Sequence, residues 1–93
     1  FHSAHFMLRK APAPLPETIT RISVTVPKKV SNKAVERNEI RRFFYNILKE
    51  VLEKIPTGFV CVVSVKPGIT GKTVSQYPQE FKTLLEQAFN ITL

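Results

Sequence analysis

Aspartate is missing from the 93 residues, and all seven carboxylates are glutamate. With no aspartate and no cluster of glutamates at metal-ligand spacing, the sequence argues against a protein-only nuclease that works through carboxylate-held metal ions. Cysteine occurs once, at Cys61, so no internal disulfide can form, which fits a reducing compartment. No apolar run approaches the roughly 20 residues that cross a bilayer, and no signal peptide is visible. No nucleophile elbow, internal repeat or low-complexity tract occurs. Gly68, Gly71, Lys72 and Thr73 fall short of the phosphate-loop spacing, so "PGITGKTVS" reads as a flexible connection. The chain opens on Phe1 rather than Met, and a natural start further upstream is expected.

What is present is positive charge. The net charge is +7 and the isoelectric point about 9.9, which suits a polyanionic partner: RNA, DNA or an anionic membrane surface. Residues 1–42 hold nine basic and three acidic residues, whereas residues 43–93 hold five and four. The basic character therefore belongs to the first half. An apolar content of 43% is ordinary for a globular chain, and the length suits a single domain over 1–93 with one modest core.

Periodicity sets out the elements. "FHSAHFMLRK" reads as a first strand, with Phe6 and Leu8 alternating with more polar neighbours. "APAPLP" is an extended connection. "TITRISVTVP" is a second strand, in which Ile22, Val24 and Val26 alternate with Arg21, Ser23 and Thr25. Ser31 or Asn32 can cap a long helix over about 33–54, closed by Pro56, Thr57 and Gly58. "FVCVVSVK" is almost continuously apolar and β-branched, the pattern of a central strand covered on both faces. Cys61 within it reads as a packed thiol. An amphipathic helix over Pro78–Phe89 presents Phe81, Leu84, Leu85 and Ala88 at helical spacing. The order β-β-α-β-α gives an α+β fold, a two-layer sandwich of one sheet and two helices.

On a helical wheel, Ile40, Phe43, Phe44, Ile47, Leu48 and Val51 share one arc that must pack on the sheet. Arg37, Asn38, Arg41 and Arg42 occupy one flank and the outer side, and Glu36, Glu39, Glu50 and Glu53 the other. An ordinary solvated face would intersperse the two signs and pair them locally. Segregation favours a phosphate-binding flank, to which Lys28 and Lys29 on the preceding turn can add. Lys33 lies nearer the apolar arc, where it can cap, snorkel or join the patch. Phe1, Phe6 and Tyr77 are aromatics on which a base could stack, with core packing the competing role for each. His2 and His5, three apart in a strand, point to opposite faces and read as surface histidines. No residue is assigned as catalytic or as a metal ligand.

At this point "KKVSNKAVERNEIRR", residues 28–42, becomes specific. Lys28, Lys29, Val30, Ala34, Val35, Arg37, Asn38, Ile40, Arg41 and Arg42 match, in order and spacing, the signature of the bacterial ribonuclease P protein component, which the chain resembles over nearly its whole length. Three features depart from that family's pattern. Glu39 stands where the family's R-N-R triplet ends in arginine, Tyr45 and Asn46 replace a later Arg-Glu pair, and the family's first helix, which precedes the opening strand, has no counterpart. Glu39 lies roughly opposite the midpoint of Arg37 and Arg41 on the wheel, so its reversed charge need not abolish their patch.

The resemblance implies a noncatalytic protein subunit that binds the ribonuclease P RNA and the 5′ leader of precursor tRNA, while the RNA and its Mg²⁺ cut the leader. By that likeness Lys28, Lys29, Lys33, Arg37, Asn38, Arg41 and Arg42 face the catalytic RNA. The sheet surface forms the leader channel, with Phe6, Arg9 and Arg21 as candidates there. A left-handed β-α-β crossover, a cytoplasmic location and a monomer within the holoenzyme are also implied. The alternative is a general RNA- or ribosome-binding domain of the same fold.

Overall fold

The computed structural model describes residues 1–15 and 19–93. Its elements run β1 (Phe6–Pro12), β2 (Arg21–Thr25), α1 (Ala34–Val51), β3 (Phe59–Val65) and α2 (Pro78–Phe89), with short 3₁₀ turns at Leu52–Lys54 and Val74–Gln76. The order β-β-α-β-α is the one the periodicity predicts. The three strands form one sheet in the spatial order β1-β3-β2. β1 lies antiparallel to β3, from Phe6 opposite Val65 to Pro12 opposite Phe59. β2 lies parallel to β3, from Arg21 opposite Val60 to Thr25 opposite Ser64. The parallel pair needs a crossover, and α1 supplies it.

Parity along each strand decides what is buried. Phe6 and Leu8 on β1, Val24 on β2, and Cys61, Val63 and Val65 on β3 point to the face that the helices cover. α1 contributes Ile40, Phe44, Ile47, Leu48 and Val51, and α2 contributes Phe81, Leu84, Leu85, Ala88 and Phe89. The centre of the core is aromatic. Phe6 stands edge-on to Phe44 at 5.1 Å and to Phe81 at 5.4 Å between ring centroids. α1 lies against β2 and α2 against β1.

Several expectations need correction. The first strand begins at Phe6, not Phe1, and continues through Ala11 and Pro12. The residues before it fold back instead, with Leu8 N–H bonded to the Phe1 carbonyl at 2.8 Å and Ser3 N–H to that of Phe6 at 2.9 Å. The far end of the expected Ala11–Pro16 connection, and Thr18 of the expected second strand, lie outside the described residues. α1 stops at Val51, and its N-cap is Lys33, with no side-chain cap bond. Ser31 accepts the Lys33 N–H at 3.2 Å, two positions too early to cap the helix.

The largest correction concerns β3. It is central, as predicted, but covered on one face only. Val60 and Val62 are 42% and 36% exposed, while Val63 is fully buried. Both helices lie on the same side of the sheet. The apolar run reflects a strand flanked on both edges, not one covered on both faces.

Candidate nucleic-acid interface

Two surfaces meet the sequence expectations, and they adjoin. The first is the basic flank of α1. Arg37 donates from Nη1 to the Ser31 carbonyl at 2.9 Å, which ties the helix to the turn that carries Lys28 and Lys29. That turn is closed by the Val30 N–H bonded to the Pro27 carbonyl at 3.0 Å. Arg41 donates to the Asn38 side-chain oxygen one turn away. Arg42, Asn38, Lys33, Lys28 and Lys29 are exposed, and Arg37 and Arg41 half-buried. A guanidinium carries five donors, so each arginine keeps free N–H groups for phosphate after these bonds. Arg42, Asn38, Glu39 and the exposed Val35 line a shallow cleft of about 260 Å³ on the outer side of the helix.

Tyr45 fixes where this flank sits. Its hydroxyl oxygen accepts the Val24 N–H at 3.0 Å, on the outer edge of β2. Arg41 and Tyr45 are four apart and share a helix face. The arginines therefore run along the β2 edge of the sheet. The departure from the family pattern at this position has a structural use, since Tyr45 satisfies a backbone donor that the edge strand leaves unpaired.

The second surface is the uncovered sheet face. The register places Met7, Ser64 and Thr25 in one row, Arg9, Val62 and Ser23 in the next, and Ala11, Val60 and Arg21 in the third. Arg9 and Arg21 are exposed and lie on this face. The Thr25 and Ser64 hydroxyls are 3.0 Å apart in the first row. Beside Arg21 a cleft of about 290 Å³ opens between Leu15, Ile19, Phe59 and Val60. These neighbours of Arg21 carry no charge.

Phe6 does not belong to this face. It is fully buried between Phe44 and Phe81, so it offers no ring to a ligand. Its parity puts it with Leu8, opposite to Arg9. Tyr77 is also packed away, with its ring centroid 4.6 Å from that of His5. Lys10 points to the helix side, where its ammonium sits 4.8 Å from the Phe59 centroid and 5.2 Å from that of Phe89.

The acidic flank is not idle solvent-facing charge either. The Ser31 hydroxyl, then the Gly71 amide, hold the Glu36 carboxyl below its usual range. His5, expected as an unpartnered surface residue, gives its Nδ1 to Glu80 at 2.9 Å. Burial pushes the Cys61 thiol up to about 11, so it stays protonated and inert near neutral pH. Among the described residues, no three His, Cys or Glu side chains gather where they could hold a metal ion, and no helix is long and apolar enough to cross a membrane.

Comparison with known proteins shows the family and the fold. Residues 1–89 match the family model described as Ribonuclease P. A ribonuclease P protein component from Microcystis aeruginosa is 29% identical over 90 residues, covering 95% of this chain and 75% of that protein. Its counterpart in Nostoc punctiforme is 40% identical over 70 residues, covering 73% of this chain and 50% of that one. The chain thus spans between half and three quarters of the length of these relatives. An RNase P protein from Thermotoga maritima shares the fold, with a TM-score of 0.66 at 23% identity over 97% of this chain and 76% of that one.

Proposed function

Because the chain belongs to the ribonuclease P protein family, as its match over residues 1–89 shows, we propose that it is the protein subunit of ribonuclease P and promotes 5′ maturation of precursor tRNA. An RNA partner follows from the family; the ribonuclease P RNA and the precursor tRNA leader are the specific partners assigned here. The observation that carries this assignment is the adjacency of the two surfaces. A basic helix flank runs along the same sheet edge whose open face presents Arg9 and Arg21.

In this assignment Lys28, Lys29, Lys33, Arg37, Asn38, Arg41 and Arg42 meet the phosphates of the folded catalytic RNA. Bonds to Ser31 and Asn38 hold Arg37 and Arg41 in place before the RNA arrives, so less side-chain freedom is lost on binding. The single-stranded leader lies across the open face, where Arg9 and Arg21 take phosphates and Val60 and Val62 offer apolar contact to bases. The protein positions the substrate and performs no bond cleavage itself. Mg²⁺, held mainly by the RNA, supplies the cleavage chemistry. The subunit acts as a monomer in the cytoplasmic holoenzyme.

Reconstitution with a bacterial ribonuclease P RNA and precursor tRNA at low Mg²⁺ tests this. Cleavage at the mature 5′ end should require the RNA and be stimulated by the protein. RNA binding without stimulation would instead indicate a general RNA- or ribosome-binding domain, and cleavage by the protein alone would make it a nuclease. A double Arg37→Ala, Arg41→Ala variant should flatten the salt dependence of RNA binding by roughly one phosphate contact per arginine. An unchanged slope would remove these arginines from the interface.

A further inference from the structure

The segment between β3 and α2, expected to be a flexible connection, is built instead. Ile69 is buried in the core and roots it. Thr70 and Thr73 tie the turn together: Thr70 N–H donates to Thr73 Oγ1 at 3.0 Å, Thr73 N–H to Thr70 Oγ1 at 3.2 Å, and the two hydroxyls are 3.1 Å apart. Between them, Gly71 N–H donates to Glu36 Oε2 at 3.1 Å. A Cβ on Gly71 would stand 2.9 Å from Glu39 Oε2 and 3.5 Å from Glu36 Oε2. A side chain at Gly71 would press on the end of the flexible Glu39 side chain, while Glu36 would stay in ordinary contact. The loop thus lies flat against the first turns of α1.

This docking fixes the next residue, Lys72, which is exposed beside the N-terminal end of α1. Lys33, at the N-cap of the helix, acts on Glu36 from nearby, as Lys72 does. Arg37 approaches the same place through the Ser31 carbonyl. Lys33 and Lys72 therefore flank a carboxylate already engaged by the Gly71 amide, with the Glu39 carboxylate beside the same loop. An anchored lysine is worth more to a polyanion than one on a mobile loop, since its position costs no further ordering on binding.

We propose that the Thr70–Thr73 loop is a second phosphate-contacting element of the RNA interface, docked by Glu36 so that Lys72 extends the basic surface from Lys33 round the end of α1. The proposal rests on the RNA-subunit assignment and adds a contact that the residue 28–42 segment does not contain. Gly71 is its positioning residue, and Lys72 touches the RNA.

Binding of a bacterial ribonuclease P RNA, measured over a range of salt concentrations, tests the loop. Lys72→Ala should lower the slope of log affinity against log salt by about 0.7 to 0.9, one contact's worth, and Lys72→Arg should restore it. Gly71→Pro, which changes no charge but removes the N–H donated to Glu36, should lower the slope by a similar amount because the loop loses its tie to the helix; its urea midpoint checks that the fold survives. A wild-type slope for Lys72→Ala overturns the proposal, and a wild-type slope for Gly71→Pro alone overturns the docking. The Arg37→Ala, Arg41→Ala pair, run alongside, separates the two levels. If that pair flattens the slope and Lys72→Ala does not, only the loop fails. If the wild-type protein shows no salt-dependent binding to this RNA, the subunit assignment fails and takes the loop with it.

Discussion

Glu80, in the first turn of α2, takes three hydrogen bonds from the segment before β1. They come from the Ser3 hydroxyl at 2.6 Å, the His5 amide at 2.7 Å and the His5 ring at 2.9 Å. Partial burial pushes its carboxyl up, but the bonds from the Ser3 hydroxyl and from the ring and amide of His5 outweigh this and hold it below the ordinary value of 4.5. A depressed carboxyl stabilises the fold above its unfolded value and loses that contribution as pH falls through the folded one. Glu80→Gln should therefore weaken the fold near neutral pH and flatten the decline of the urea midpoint below pH 4.5. A variant that declines as steeply as the wild type would assign the acid sensitivity elsewhere. The partnership was illegible in the sequence, because Ser3 and His5 meet Glu80 only through the fold. Phe6 is a different case. The alternation that groups Phe6 with Leu8 puts Arg9 on the other face, so the sequence already held the information that one open face could not contain both.

At the scale of elements, the two kinds of periodicity were unequally informative. α1 carries its pattern within a single piece of chain, and of the six residues its wheel placed on the packed arc, Ile40, Phe44, Ile47, Leu48 and Val51 are buried and Phe43 is half-buried against the core. A strand's cover depends on where other elements land, which is why β3 misled. Its residues differ sharply in consequence. Val63→Ala removes two methyl groups from a fully buried site and should cost about 2–3 kcal/mol. Val62→Ala, on the open face, should cost less than about 1 kcal/mol. Urea denaturation of the two variants decides this, and equal losses would mean that β3 is covered on both faces after all. The basic flank of α1 was legible because its charges are local in sequence. The docked loop was not, because the Gly71 partner lies on a distant helix and the bond is made by a backbone amide that leaves no mark on composition.

For the molecule as a whole, the sheet joins segments from both halves of the chain. β1 and β2 flank β3 and pair with it rather than with each other. A fragment ending at residue 57 keeps both outer strands, α1 and the whole basic segment, yet lacks the strand that joins them. It should show no cooperative unfolding by circular dichroism in urea, whereas the full chain should show a single transition. A sharp transition in the fragment would mean that α1 and the outer strands hold together without β3.

Place in space and order of synthesis therefore run differently. The middle strand is the last of the three to leave the ribosome, and until it emerges the first two have no ladder to join. The arginines of α1 are translated well before the platform that aims them is finished. In the proposed role, residues 28–42 can attract RNA by charge as soon as they are out, but the sheet that would orient that RNA is complete only after Val65 has followed.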